Sequence, residues 1–379
     1  MEEFGIYIHI PFCKSKCYYC DFVSFSNKKE FMKDYIEALK KEIEYNSNFL
    51  KDKNVTTIYI GGGTPSIINE GFIKEILTLI KEKYNVNKNA EITIEVNPGT
   101  ITEDKLLKYK EAGINRISIG LQSTKNDLLK KIGRIHTYQQ FLDTYNLARE
   151  VGLKNINVDL MLALPNQTLE DINESIEKVI KLNPEHISVY SLILEEGTKL
   201  EQMLNEHKIE LAQDEIEREM YWNVKEKLEK NGYIHYEISN FSKEGFESKH
   251  NMNCWKQEEY VGFGLAAHSY INNKRYSNLE DLEKYIKNIK ENHIEKNYII
   301  HEIQNIKEQE KEYMMLGLRK INGVSIQEFK NKFVDNPLYL FRKELEELTK
   351  EELIEIDLDN IKLTEKGLDL ANLVWEKFV

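Results

Sequence analysis

Cys13, Cys17 and Cys20 put three thiols within eight residues in the spacing C-x3-C-x2-C, and the chain's fourth cysteine, Cys254, lies far downstream. In a reducing compartment such a cluster is a metal or redox site rather than a disulfide framework. Three thiolates can hold three irons of a [4Fe–4S] cluster and leave the fourth iron open to a small chelating molecule. A structural zinc ion is the alternative, and it requires a fourth Cys or His, for which His9 is the neighbour available.

Further groups fit the same site. The run "TTIYIGGGTPS" ends in Gly61, Gly62 and Gly63, followed by Thr64 and Pro65. Consecutive glycines let backbone approach a ligand closely and expose N–H groups at a strand's carboxyl end. Glu95 in "EVNPG", Gln122 in "GLQS" and Asp159 in "NVDLMLALP" fall at the ends of other β-rich runs, and Arg134 follows in "IGRIH". Any one of these alone is a solvated or internally satisfied polar residue. At consecutive strand ends they make one site.

The elements that must position them alternate. Residues 5–10, 55–62, 91–98, 115–122, 155–165 and 186–194 read as strands, dense in Ile, Val or Tyr and ending near Gly, Pro or Asn. Helical patterns fill 29–50, 69–84, 102–112, 137–151 and 168–182. This is an α/β chain with a parallel sheet, and six repeats predict a partial (β/α)6 TIM-like barrel. The near-continuous apolar strands imply burial on both faces. Ile216, Met220, Val224 and Leu228 mark the buried face of a later helix. From about residue 300, helices followed by the hairpin "LIEIDLDNIKLT" predict a small α+β, winged-helix-like domain without a basic recognition stripe.

The 379 residues are 41% hydrophobic and 31% charged, enough for a sizeable core in a soluble chain. A net charge of −12 argues against general nucleic-acid binding. No apolar run reaches the roughly 18–20 residues of a membrane span. The acidic start "MEEFGIYIHI" is unlike a signal peptide, so a cytoplasmic protein is expected.

Taken in order, "YIHIPFC", "CYYCDF", "GGGTPS", "EVNPG", "SIGLQS", "GRIH", "DLMLALP" and "MMLGLRKINGVS" resemble the motifs of radical S-adenosylmethionine (SAM) enzymes. The nearest resemblance is to oxygen-independent coproporphyrinogen III oxidases and their relatives, and it spans essentially the whole chain. It implies a [4Fe–4S] cluster on Cys13, Cys17 and Cys20, with SAM chelating the open iron and an electron donor feeding the cluster. It implies Tyr7 and Tyr19 beside cluster and SAM, and Gly62, Gly63 and Thr64 at the methionine end. Glu95, Gln122, Arg134 and Asp159 would hold the polar groups of SAM, and a second SAM is a possibility within the subgroup.

Two branches of that subgroup differ in function. The decarboxylating oxidases carry a further cysteine two positions after the loop and an N-terminal extension. Here Phe22 occupies that position and 12 residues precede Cys13. The heme-chaperone branch has an H-N-x-x-Y-W motif followed by "GxGxxAHS"; this chain has "HNMNCWKQEEYVGFGLAAHSY", with Cys254 in place of Tyr. The resemblance therefore implies heme as cargo, a heme-acceptor protein as partner, and His250 as candidate axial ligand. Cys254, one helical turn after His250, is a thiolate alternative, and His268 reads as a lining or structural residue. The expected division is a barrel over 1–235, a heme-motif and connecting segment over 236–299, and the small domain over 300–379.

Overall fold

The computed structural model describes residues 3–379. Six strands run parallel in chain order: β1 (Glu3–Ile10), β2 (Asn54–Gly62), β3 (Asn85–Val96), β4 (Arg116–Gln122), β5 (Asn155–Leu162) and β6 (His186–Ser191). Helices between them cover the outer face, as the six alternating repeats predict. The strands are not apolar on both faces, however. Ile6, Ile8, Ile58, Ile60, Ile92, Ile94, Ile117, Ile119, Ile156 and Val158 are buried under the helices. The residues between them (Tyr7, Tyr59, Glu95, Ser118, Asp159) turn inward. Strict alternation therefore gives this barrel an aliphatic coat and a polar lining.

The sheet continues past both ends of the parallel set. Beyond β6 comes the hairpin β7 (Ile234–Glu237) and β8 (Asn240–Ser242), with β8 antiparallel to β6. Beside β1 lies β9 (Tyr260–Phe263), parallel to it, and then antiparallel β10 (His268–Ile271), β11 (Lys274–Asn278) and β12 (Tyr298–Ile303). The full order is β12-β11-β10-β9-β1-β2-β3-β4-β5-β6-β8-β7. Residues 236–299, read from sequence as a connection, are thus woven into the main sheet. Their strands are short and polar, and fall below what a period-2 pattern can reveal. Helix Lys249–Trp255 lies against β1 and β2 at the barrel floor.

Helix Asp214–Lys230 buries Met220, Val224 and Leu228 as its periodicity requires, while Ile216 in the first turn stays exposed. From Ile306 on, helices and an antiparallel sheet of β13 (Val324–Ser325), β14 (Ile354–Ile356) and β15 (Asn360–Leu363), in the order β13-β15-β14, enclose a second core around Phe329, Leu348 and Ile361. Arg319 joins this unit to the barrel. Its guanidinium lies 4.4 Å from the Trp255 ring and 4.6 Å from that of Trp375, and its carbonyl accepts from Ile238 N. Among the described residues no helix is long and apolar enough to cross a membrane.

Candidate functional site

The carboxyl ends of the parallel strands open into a cavity of about 480 Å³. Cys13, Cys17, Cys20, Gly62, Gly63, Thr64, Glu95, Gln122, Arg134, Asp159 and Tyr19 all line it, so residues spread over 147 positions meet in one place. Tyr7 does not line it. Its hydroxyl donates to His9 Nδ1 at 3.0 Å, and His9 Nε2 donates to the Val23 carbonyl at 2.9 Å. Both ring nitrogens of His9 are occupied, which removes it as a metal ligand and makes it the strut under the returning cysteine loop. Burial holds its imidazole neutral, with a pKa pushed down to about 4.

The cysteine loop is pinned at its base by Cys13 N donating to Phe25 O (2.9 Å) and Phe25 N to Pro11 O (2.8 Å). Thr64 Oγ1 reaches Cys13 Sγ at 3.5 Å and accepts from Asn97 Nδ2 at 3.0 Å. Asn97 Oδ1 in turn accepts from Arg134 Nη2 at 2.9 Å, and Arg134 Nη1 points at Cys17 Sγ at 3.6 Å. Two cluster cysteines are therefore tied together through three polar side chains. Asn97 is the member the sequence reading passed over; its signal was its place directly after the third strand, in "EVNPG".

The glycines are required by close approach. A Cβ on Gly62, whose φ is +108°, would sit 2.6 Å from the His9 ring, and one on Gly63 would sit 2.8 Å from Phe12 O and 3.0 Å from Cys13 Sγ. Gly62 N donates to Glu95 Oε2 at 3.2 Å and Tyr59 OH donates to Oε1 at 2.9 Å. Asp159 accepts from Asn157 Nδ2 at 2.6 Å and from Ser118 Oγ at 3.2 Å. Gln122 takes a positive φ of 67° at the bulge between β4 and β5, which turns its side chain to the cavity. Tyr19 packs into a small apolar cluster with Leu128, Ile132, Met161 and Leu164.

Burial, with Asp159 nearby, pushes the Glu95 carboxyl up to about 7. The unfolded chain therefore gives up this proton first, and folding stability falls as pH rises from about 4.5 to about 7. Glu95→Gln removes that loss. The ligand-free variant is expected to exceed wild type by roughly 3 kcal/mol at about pH 8 and by little at about pH 5. Urea unfolding at the two pH values measures this, and equal stabilities at the higher one would refute it.

Donor chemistry tests what the thiols can hold. Among the described residues no three His, Cys, Asp or Glu side chains converge on one point as a single metal ion requires. The three thiols instead ring one cavity, an arrangement suited to a multi-iron cluster. Burial pushes the Cys20 thiol up to about 11, so its thiolate needs cationic partners of the kind irons supply.

The structure places His250 away from this cavity mouth, on the barrel floor. Its ring stacks on Tyr59 at 5.2 Å, its Nδ1 is hydrogen-bonded to Thr57 Oγ1 at 2.9 Å, and its backbone N donates to Glu91 at 3.2 Å. With 9% of its surface exposed, the residue leaves no room for a porphyrin beside the ring. The expectation of His250 as axial ligand is corrected accordingly: its ring packs inside the barrel, because the inward face of β2 offers a hydroxyl and an aromatic plane to receive it. Cys254 sits near Arg275 and Tyr260, with its thiol pushed up to about 11 by burial. Tyr59 touches both centres, its hydroxyl on Glu95 and its ring on His250.

Sequence comparison matches the Radical SAM superfamily over residues 7–179 and the HemN C-terminal domain over residues 307–370. The chain is 40% identical to the heme chaperone HemW of Lactococcus lactis, covering 98% of this chain and 96% of that one. It is 39% identical to the heme chaperone HemW of Bacillus subtilis, covering 98% of each. In structure it is similar to coproporphyrinogen III oxidase (HemN) from Escherichia coli, with a TM-score of 0.86, 23% identity and coverage of 100% and 90% of the two chains. That last likeness establishes the fold.

Proposed function

Because the chain belongs to the heme chaperone HemW family of the radical SAM superfamily, we propose that it holds a [4Fe–4S] cluster and SAM in the barrel cavity, binds heme as cargo and delivers it to a heme-acceptor protein. The observation that carries the reading is near-complete coverage of two heme chaperones at about 40% identity, joined to one cavity that gathers the three cysteines with the polar strand-end residues.

In this reading Cys13, Cys17 and Cys20 ligate three irons. When bound, the cluster supplies an electron that cleaves SAM. The protein's part is positioning. Gly62, Gly63 and Thr64 clear space for the methionine end next to Cys13. Glu95 and Asp159 offer acceptors to an ammonium or to ribose hydroxyls, and Gln122 adds an amide from the β4 bulge. Arg134 offsets thiolate charge at Cys17 and offers a guanidinium to a carboxylate. Tyr19 walls the site, and Tyr7 acts from behind through His9.

Phe22 favours cargo binding over decarboxylation. It is 62% exposed at the cavity rim, at the position where the resembling oxidases carry a further cysteine. The test runs two assays on the anaerobically reconstituted full chain: transfer of bound heme to an apo-hemoprotein, and conversion of coproporphyrinogen III with SAM, dithionite and an electron donor. Stoichiometric heme binding with transfer, and no multiple-turnover decarboxylation, is expected. Sustained formation of protoporphyrinogen without heme transfer would replace the chaperone with the oxidase.

A further inference from the structure

Five of the nine histidines are buried: His9, His136, His186, His235 and His250. Each has a ring nitrogen engaged, by Val23 O, Leu121 O, Asn157 and Tyr236, Ile238 O, and Thr57 respectively. Among the exposed ones, His293 lies beside Glu295 and His207 occupies a turn. His268 and His301 are different. Their imidazoles lie face to face on the outer antiparallel strands, centroids 5.5 Å apart and planes within 16°.

The fold builds this pair. His268 stands opposite Ser277, and Ser277 opposite Ile299, so these three share a face of the sheet. A register shift where β11 meets β12 leaves His301 without a partner in the ladder and brings it to the same face, its Nε2 hydrogen-bonded to Ser277 Oγ at 2.8 Å. His268 is set by the glycine-rich turn before it. A Cβ on Gly262 would lie 2.2 Å from the His268 carbonyl, and one on Gly264, at φ +97°, would lie 2.3 Å from the Tyr35 hydroxyl. The glycines of "GFGLAAHS" thus let β10 cross close over β9 and present His268 outward. No hydrogen bond to a ring nitrogen of His268 is formed among the described residues.

The surroundings are apolar and open. β12 is the last strand of the sheet, and Ile299, Ile300 and Ile303 along it are 41%, 59% and 62% exposed. Partial burial, then His301 and Arg275, lower the His268 pKa against an opposing pull from Glu280, which keeps the neutral ligating form at pH 7. An exposed apolar edge strand beside two accessible imidazoles is a docking surface for a flat, apolar, metal-bearing ligand.

We propose that heme docks on this outer face, with His268 as the axial ligand of its iron and His301 as the residue that positions the His268 ring. The inference rests on the heme-chaperone reading and replaces His250 with a residue the porphyrin can reach. A site at the sheet edge also leaves the heme open to an acceptor protein, which a site under the barrel floor does not.

Hemin titration of the full chain, followed at the Soret band, tests it. His268→Ala is expected to weaken binding by about tenfold or more and to shift the band. His301→Ala should weaken it less, and His301→Phe, which keeps a ring to stack on, should restore it. Added imidazole should return the wild-type band to His268→Gly. Wild-type affinity and spectrum in the double variant His268→Ala/His301→Ala would overturn the proposal. So would loss of heme binding in His250→Ala with its thermal unfolding unchanged. A wild-type chain that takes up no heme overturns the chaperone reading itself, an outcome the variants cannot mimic.

Discussion

Replacing Cys13, Cys17 or Cys20 singly with Ala is expected to reduce iron after anaerobic reconstitution from about four per chain to less than about one. The reason is geometric. Each thiol comes from a different turn of one loop, and no described His, Cys, Asp or Glu forms a convergent set that could take over. His9, the nearest imidazole, already spends both nitrogens on Tyr7 and Val23. Cys254→Ala should keep full iron and sulfide, because that thiol sits by Arg275 and Tyr260 rather than in the cavity. Iron and sulfide assays with the broad visible absorbance of the cluster decide it. Loss of the cluster in Cys254→Ala, or its retention in any loop variant, would break the three-ligand assignment.

Glu42→Leu is expected to destabilise the fold by about 3–6 kcal/mol, since it strands three buried donors at ~1–3 kcal/mol each. Glu42 is fully buried and accepts from Tyr285 OH at 2.6 Å, Asn278 Nδ2 at 2.7 Å and Gly264 N at 2.9 Å. These tie the first long helix (Met32–Leu50) to the turn that precedes His268. Tyr35 from the same helix adds a donor to His9 O and an acceptor for Leu265 N. One helix therefore braces both the cysteine loop and the outer sheet. Glu42→Gln, which keeps an acceptor for part of this set, should cost less. Denaturant unfolding measures both, and a Leu variant within about 1 kcal/mol of wild type would show that the network relaxes without the carboxylate.

Much of the site was legible residue by residue. Cysteine spacing announces a shared metal, because ligands on one short loop meet whatever the rest of the chain does. The triple glycine likewise announces close approach, and Gly62 and Gly63 have backbone or ring atoms where a Cβ would be. Six alternating repeats placed Glu95, Gln122 and Asp159 at strand ends, and all three line the cavity. Asn97 escaped notice, since an asparagine after a strand looks like any turn residue until Arg134 and Thr64 are seen on either side of it.

What local pattern could not decide was which face of an element meets which partner. The i, i+4 spacing correctly set His250 and Cys254 on one helix (Lys249–Trp255), yet nothing in it says that Tyr59 and Thr57, more than 190 positions earlier, enclose the first of them. Nor does it say that Ser277 and a register shift in β12 bring His301 against His268 across 33 residues. Periodicity and turn chemistry are properties of a few neighbouring residues, so the amino-acid sequence by itself determined the repeats, the loop ligands and the glycine-bound turns. Burial and access depend on contacts between distant segments, whose geometry exists only once the sheet has closed around them. The tertiary structure alone therefore decided that the motif histidine is enclosed and another pair is open.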